Sequence, residues 1–324
     1  MLRFEIILKK IGQLVIILLA VATFNFLLFR VLPGDPIRLL ARAGHLSPEA
    51  IDRLRQTFGL DHPLWVQYFY YLKNLISGEL GFSFTYRRPV ADILQERITN
   101  TLILLGAATV IVVLIGVAAG AIAAARRGSR IDSTLIITSL IFWSMPTFWT
   151  GLILIIILAV YFNAFPVSGM TTPGASFDTV LAQWLNIAHH IVLPTITLAI
   201  VDMGQFMLIT RSSLVDVLTE DYILTAKAKG LPFRTVLWRH GMPNALLPII
   251  TTTALYVSLI VGGAIQVETV FSWPGMGRLM YDAVLRRDYP LLEASFLLSA
   301  ATVILANFLS DVIYLIIDPR VKEA

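Results

Sequence analysis

The sequence predicts an all-α membrane protein with six transmembrane helices and an extracytoplasmic segment after the first. Three observations carry that reading. Hydrophobic residues make up 57% of the chain and charged residues only 14%, against roughly a quarter charged in soluble proteins. Charge-free or nearly charge-free stretches recur at about 10–30, 99–125, 134–162, 188–210, 245–267 and 291–317. Each is long enough to cross a bilayer core of ~30 Å, which takes about 20 helical residues at ~1.5 Å apiece. Lysine and arginine are distributed unevenly between the two sets of connecting segments.

That distribution orients the chain. With the N-terminus inside, the inner segments hold Arg3, Lys9, Lys10, Arg126, Arg127, Arg130, Arg211, Lys227, Lys229, Arg234, Arg239, Arg320 and Lys322. The outer segment 163–187 holds no lysine or arginine, and 268–290 holds Arg278, Arg286 and Arg287. Positive residues are enriched on the cytoplasmic side of membrane proteins, so both termini are expected in the cytoplasm. The mixed-charge segment 31–98 is long, and its charges count weakly in this argument. No linker, low-complexity run or clear repeat divides the chain, so residues 1–324 are expected to form one integral domain.

The elements follow in order. The first span comes after Arg3, Lys9 and Lys10 and resembles a signal peptide in outline. It continues through Phe26 to Arg30 without a small-residue cleavage site, so it reads as a retained helix. In the outer segment, Ser47-Pro48-Glu49 supplies an N-cap, a first-turn proline and an acid at the positive dipole end, and Gly59 closes that helix. Residues 63–76 carry Trp65, Tyr68, Phe69, Tyr70 and Tyr71, a composition suited to the membrane–water boundary. This segment is expected to cap the outer helix ends, or to receive a delivering partner. Met145-Pro146 interrupts the third span and Pro194 lies near the start of the fourth, both permitting a kink. Gly106, Gly116 and Gly120 in the second span, and Gly262-Gly263 in the fifth, would permit close helix approach, although glycine is ordinarily frequent in membrane helices.

Familiar catalytic constellations are missing. The chain has no phosphate-cradling G-x-x-x-x-G-K-[ST], no H-E-x-x-H, no G-x-S-x-G elbow and no cysteine at all. Without cysteine there is no thiol catalysis, disulfide or thiolate-held metal, although this does not reveal the compartment. His189 and His190 are neighbours, but adjacent helical positions diverge by about 100° and do not readily share an ion. No catalytic residue and no metal ligand is therefore expected.

Two features suit transport instead. Asp202 lies near the middle of the fourth span, where an acid costs about 2.5–3.5 kcal/mol on insertion scales. Gln205 would share its face. Both are candidates for a translocation path, in which Asp202 would attract a cationic group. An interhelical hydrogen bond involving Asp202 is the equal alternative. The second feature is the long inner loop at about 211–244. From Asp221 to Lys229 the order Tyr222, Thr225, Ala226 and Ala228 suits a short helix with small residues on one face, and Gly230 and Pro232 stop it. A helix that merely rests on a membrane would favour bulky apolar anchors over alanine. Docking on another protein explains the alanines better.

This loop resembles the EAA loop of bacterial ABC-importer permeases, whose pattern is Glu-Ala-Ala followed by a glycine and a closing Ile-x-Leu-Pro. Gly230 matches the glycine, Ala226 the second alanine and Met242-Pro243 the closing pair, whereas Leu224, Thr225 and His240 depart from it. The match to the dipeptide/oligopeptide/nickel type is closer. It runs through Leu32-Pro-Gly-Asp-Pro36, Gly59-Leu60, Pro63-Leu-Trp-Val-Gln-Tyr68, Gly81-Phe-Ser83 and the loop 221–230. It continues with Arg239-His240, Asn244-Ala-Leu-Leu-Pro248, Glu268-Thr-Val-Phe-Ser-Trp-Pro-Gly275, Gly277-Arg278-Leu279, Arg287-Asp288-Tyr289-Pro290 and Asp318-Pro319-Arg320. The resemblance implies a type I ABC-importer permease fold. It implies a bacterial inner-membrane chain, the first of a pair, that encloses the path with a second related permease. Two ATP-binding subunits, which use ATP and Mg that this chain does not bind, would receive the loop near 221–238. Asp221, Tyr222, Thr225, Ala226, Ala228, Lys229, Gly230, Arg239 and His240 are the implied coupling residues. An extracytoplasmic binding protein would deliver a peptide or related small solute, and no nucleic acid is involved. A secondary transporter or channel is the alternative; it would show broken helices with paired intramembrane charges. A membrane enzyme is a weaker one, since it would need several polar side chains at one depth.

Overall fold

Helix dominates wherever the computed structural model describes the chain, at residues 2–31, 62–259 and 264–317. In order these are α1 (Leu2–Val31), α2 (Leu64–Ile76), a hairpin of β1 (Phe82–Ser83) and β2 (Arg88–Pro89), α3 (Val90–Ala125), α4 (Arg130–Ser144) and α5 (Thr147–Leu154). There follow α6 (Val180–Val217), α7 (Asp221–Ala228), α8 (Phe233–Thr235), α9 (Met242–Leu259), α10 (Ile265–Val270), α11 (Met276–Arg286) and α12 (Tyr289–Ile317). Two π-helical stretches extend α5 and α8, at Ile155–Tyr161 and Val236–Gly241.

Among the described residues, four helices are long and apolar enough to cross a membrane: Leu8–Arg30, Val90–Ala125, Val180–Val217 and Tyr289–Leu309. A fifth span is formed if α4 and its continuation Thr147–Tyr161 are taken together, bent by 99° at the break. Proline accounts for that break. Met145 and Pro146 both sit in extended backbone between the helices, because proline lacks an N–H and disfavours helix in the residue before it. Pro194, by contrast, lies inside an unbroken α6. The remaining candidate, 245–267, runs along α9 and then over residues 260–263, which with Gly262 and Gly263 lie outside the described residues. So do the helix expected at 47–59 and the motifs at 32–36, 59–60 and 318–320.

The chain divides into two compact units. The first, Met1–Ile98 with Leu279–Phe308, is built on α1. Its hydroxyl Thr23 shares a hydrogen bond of 2.7 Å with Tyr68 of α2, and Asn25 donates to the Tyr71 hydroxyl at 3.3 Å and to the Glu293 carbonyl at 3.0 Å. Burial pushes the Tyr71 phenol up to about 12. Trp65, Phe69 and Ile76 on the other side of α2 stay exposed. The hairpin is fixed to the turn before α12 by buried Asp288, which accepts from Ser83 Oγ at 2.5 Å and from the Thr85 N–H at 2.9 Å.

The second unit, Thr99–Arg278 with Leu309–Ala324, has α6 as its axis. Gly116 and Gly120 of α3 let that helix lie directly on α6. A Cβ at Gly116 would fall 2.5 Å from Phe206 Cβ, and one at Gly120 would fall 2.6 Å from the Met207 carbonyl. Gly204 of α6 does the same toward α4, where a Cβ would come 2.6 Å from the Ser139 carbonyl. Gly106 has open space instead. One apolar cluster joins Leu104, Leu193, Leu198, Val267, Phe271 and Trp273; another joins Val112, Ala199, Phe206 and Ile249.

Candidate functional site

The loop at 211–244 folds back onto its own unit. α7 begins at Asp221, an acid at the positive end of the helix dipole. It ends where Lys229 and Gly230 donate their N–H groups to the carbonyls of Thr225 and Lys227. Gly230 has φ +77°, a conformation that costs other residues strain. A Cβ there would meet nothing within 4 Å, so glycine is required by the backbone turn and not by crowding inside this chain.

The two faces of α7 differ. Ile223 and Ala226 are buried against Val236 and Leu218. Asp221, Tyr222, Leu224, Thr225, Lys227, Ala228 and Lys229 are exposed. Ala226 therefore faces inward: its small size serves the loop's own packing, and of the alanines only Ala228 lies on the outer surface. The Tyr222 hydroxyl accepts from Asn244 Nδ2 at 2.9 Å, joining α7 to the start of α9. Arg239 is exposed and His240 half-buried in the π-helical stretch. Exposed Phe233 and Trp238 add apolar surface beside α7. The outer side of the loop thus offers Leu224, Phe233 and Trp238 with lysines and arginines among them.

Within α6, Asp202 does not stand alone. Tyr256 of α9 donates its hydroxyl to Asp202 Oδ2 at 2.5 Å, and its ring meets Phe206 edge-on at a centroid distance of 5.7 Å. Asp202 and Gln205 are both half-buried. The interhelical hydrogen bond expected as one alternative is present, with a partner that lies 54 residues away in sequence. His189 and His190 each engage a backbone carbonyl, of Ala164 and Asn186.

Two polar clusters emerge from the structure that the sequence did not single out. Arg211, near the end of α6, makes a two-pronged ion pair with Asp132 of α4, Nε to Oδ1 at 2.6 Å and the guanidinium NH2 to Oδ2 at 2.7 Å. The available signal was two opposite charges on one side of the chain, each next to a span. The other cluster surrounds fully buried Glu268. Its carboxylate accepts from Thr101 Oγ1 at 2.9 Å and from the Arg278 N–H at 3.0 Å, while Thr101 accepts from the Met276 N–H at 2.7 Å. Trp273 Nε1 donates to the Asn100 carbonyl, and Asn100 Nδ2 to the Pro274 carbonyl, both at 2.9 Å. The aromatic-glycine segment 268–278 is thereby tied down on the start of α3's second-unit portion.

Long apolar helices, one span broken at a proline, and a structured charged loop between α6 and α9 mark a multi-pass membrane protein. Comparison with known proteins then identifies it more closely. The chain belongs to the family of binding-protein-dependent transport system inner membrane components, which it matches over residues 116–323. Residues 1–105 match the N-terminal region characteristic of such membrane components. It is 37% identical to the oligopeptide transport system permease protein AppB of Bacillus subtilis, over 94% of this chain and 95% of that one. It is also 37% identical to the dipeptide transport system permease protein DppB of Escherichia coli K12, over 98% and 99%. Identity to the glutathione transport system permease protein GsiC of the same strain is 38%, over 98% of each. The chain is accordingly a transmembrane permease subunit of an ABC importer and not itself an enzyme.

Proposed function

We propose that this chain forms one half of the translocation path of an ATP-driven importer for peptides or related small solutes. In this reading six helices span the inner membrane, both termini are cytoplasmic, and residues 31–98 lie on the outer side. A second related permease completes the path. Two cytoplasmic ATP-binding subunits, which hold ATP and Mg, take the loop 221–238 into a surface cleft, and an extracytoplasmic binding protein delivers the cargo. Closure of the ATPase pair pushes on the loop, and the helices alternate between inward- and outward-open arrangements. Asp202 and Gln205 line the path, with Tyr256 holding the Asp202 carboxylate in place.

The observation that carries this reading is the division of labour across α7. Its inner face is packed and its Tyr222 is hydrogen-bonded to α9, whereas Leu224, Lys227 and Lys229 point away from the chain's own core. A short helix held firmly from behind transmits a push; a mobile one does not. The peptide cargo is inferred from the relatives, which are named as permeases for oligopeptides, dipeptides and glutathione.

The test is purification of the tagged chain in mild detergent, with identification of every protein that accompanies it. Recovery of a second permease with ATP-binding subunits is expected, and peptide uptake by the reconstituted assembly should require ATP. Recovery of the chain alone or as a homo-oligomer, under conditions where comparable importers survive, would overturn the proposal and favour a gradient-driven transporter.

A further inference from the structure

The Asp132–Arg211 pair sits where the loop meets the bundle, and its geometry is more demanding than attachment requires. Asp132 is 2% exposed. Its carboxylate is held from two directions, by the Arg211 fork and by the Gly128 N–H, which donates to Oδ2 at 2.9 Å. The Ser129 hydroxyl caps α4 by accepting the Asp132 N–H at 3.3 Å, and Gly128 makes the turn with φ +79°. A two-pronged guanidinium–carboxylate contact fixes rotation as well as distance. As a source of stability it is a poor choice, because two well-packed apolar side chains often do as well as a buried ion pair. What it supplies is a defined relative position of two helix ends.

Those ends belong to the two elements that a push on α7 has to reach. From Arg211, α6 continues through Leu214, which is buried with Ala121, Ala124, Leu237, Met242 and Ala245. Ser213 Oγ donates to the Ala245 carbonyl at 3.1 Å. A Cβ at Gly241 would lie 3.2 Å from Leu214 and 3.4 Å from Leu218. The end of α6, the π-helical stretch and the start of α9 are therefore one packed body behind α7. α4 joins that body at its N-terminus through Asp132, and at its other end it meets the 99° break at Met145-Pro146. We infer that the Asp132–Arg211 pair is a positioning element: it locks α4 to α6, so that displacement of α7 is delivered to the Met145-Pro146 bend and not lost between the helices.

The inference rests on the coupling reading of the loop, and the experiment separates the two. The complete importer, with both permeases, the ATPases and binding protein, is reconstituted in proteoliposomes with Arg211→Lys, Asp132→Asn or the double change Asp132→Asn/Arg211→Gln. Arg211→Lys keeps the charge and removes the fork, so it remains informative if Asp132→Asn fails to assemble. Three quantities are read: assembled complex, stimulation of ATP hydrolysis by loaded binding protein, and solute moved per ATP. In Arg211→Lys the stimulation ratio and the solute moved per ATP are expected to fall about tenfold in complex that assembles normally, the scale of a coupling network losing one member. A loss of transport that only follows the amount of complex, with solute per ATP unchanged, would make the pair structural and overturn the inference. Leu224→Glu, on the exposed face of α7, is the control. If that variant still binds its ATPases and is stimulated, the coupling reading falls and the inference with it; if it is uncoupled while Arg211→Lys is not, the inference alone falls.

Discussion

Glu268 shows how a single side chain can organise a segment that has little regular structure. The Met276 N–H donates to the Thr101 hydroxyl, so that hydroxyl must give its own proton to Glu268 Oε1, and Oε2 takes the Arg278 N–H. Both carboxylate oxygens therefore face donors. A glutamine at 268 would turn its NH2 toward one of them whichever way the amide was oriented. Glu268→Gln should destabilise the chain by about 1–3 kcal/mol, the cost of leaving a buried polar group mismatched. Thermal unfolding of the detergent-purified protein measures this, and an unchanged midpoint would show that the donors find other partners. Gly275→Ala should be at least as damaging, because the added Cβ would fall on the Glu268 carboxyl group. The sequence displayed Glu268 as the first residue of a recognisable motif, yet nothing in it indicated Thr101. The two are 167 positions apart, and only the packing of α10 beside α3 makes them neighbours.

At the scale of the helices, the close approach of α3 to α6 rests on the spacing of Gly116 and Gly120, one helical turn apart on one face. This was half legible. Glycines in a membrane helix announce that close packing is available, but not which of them is used, since the rotation of a helix about its axis is set by all its neighbours together. The structure separates them: Gly116 and Gly120 lie on α6 backbone, and Gly106 faces open space. Gly120→Val should force α3 and α6 apart and cost about 1–3 kcal/mol as overpacking, whereas Gly106→Ala should be near neutral. Size-exclusion profiles after graded heating would rank the two, and equal losses would contradict the packing. The Met145-Pro146 break and the Asp221–Gly230 helix were readable to within a residue or two, because proline and glycine act locally through the backbone. Asp202 could be recognised as an expensive acid, but its partner Tyr256 could not. Asp132 and Arg211 were readable only as charges beside spans, 79 positions apart. Local chemistry is written in adjacent letters; helix-to-helix partners are not.

For the molecule as a whole, the orientation decides whether the loop can do what has been proposed for it. An ATPase-facing loop must lie in the cytoplasm, with the surfaces at 163–187 and 62–78 on the other side. The lack of any cysteine in the chain makes this directly measurable, since each introduced thiol is the only one. Single cysteines at Asn74 and Thr172 mark the expected outer surface, and one at Lys229 marks the inner surface; all three residues are exposed. Thr172 accepts a hydrogen bond from Asn186 Nδ2, a contact at the protein surface that a cysteine should not disturb deeply. In intact spheroplasts a membrane-impermeant maleimide should label the first two and spare the third, which should react only after permeabilisation. Labelling at 229 should then fall when the ATP-binding subunits are present, because the lysines flank the exposed face of α7. Reaction at 229 from outside would place the loop away from ATP and defeat the importer mechanism at its first step. Correct sidedness without protection would leave the orientation standing and move the docking surface elsewhere, with Phe233 and Trp238 the next positions to probe. Both arms use the same molecule in the same membrane, so the orientation and the docking face are tested independently of each other.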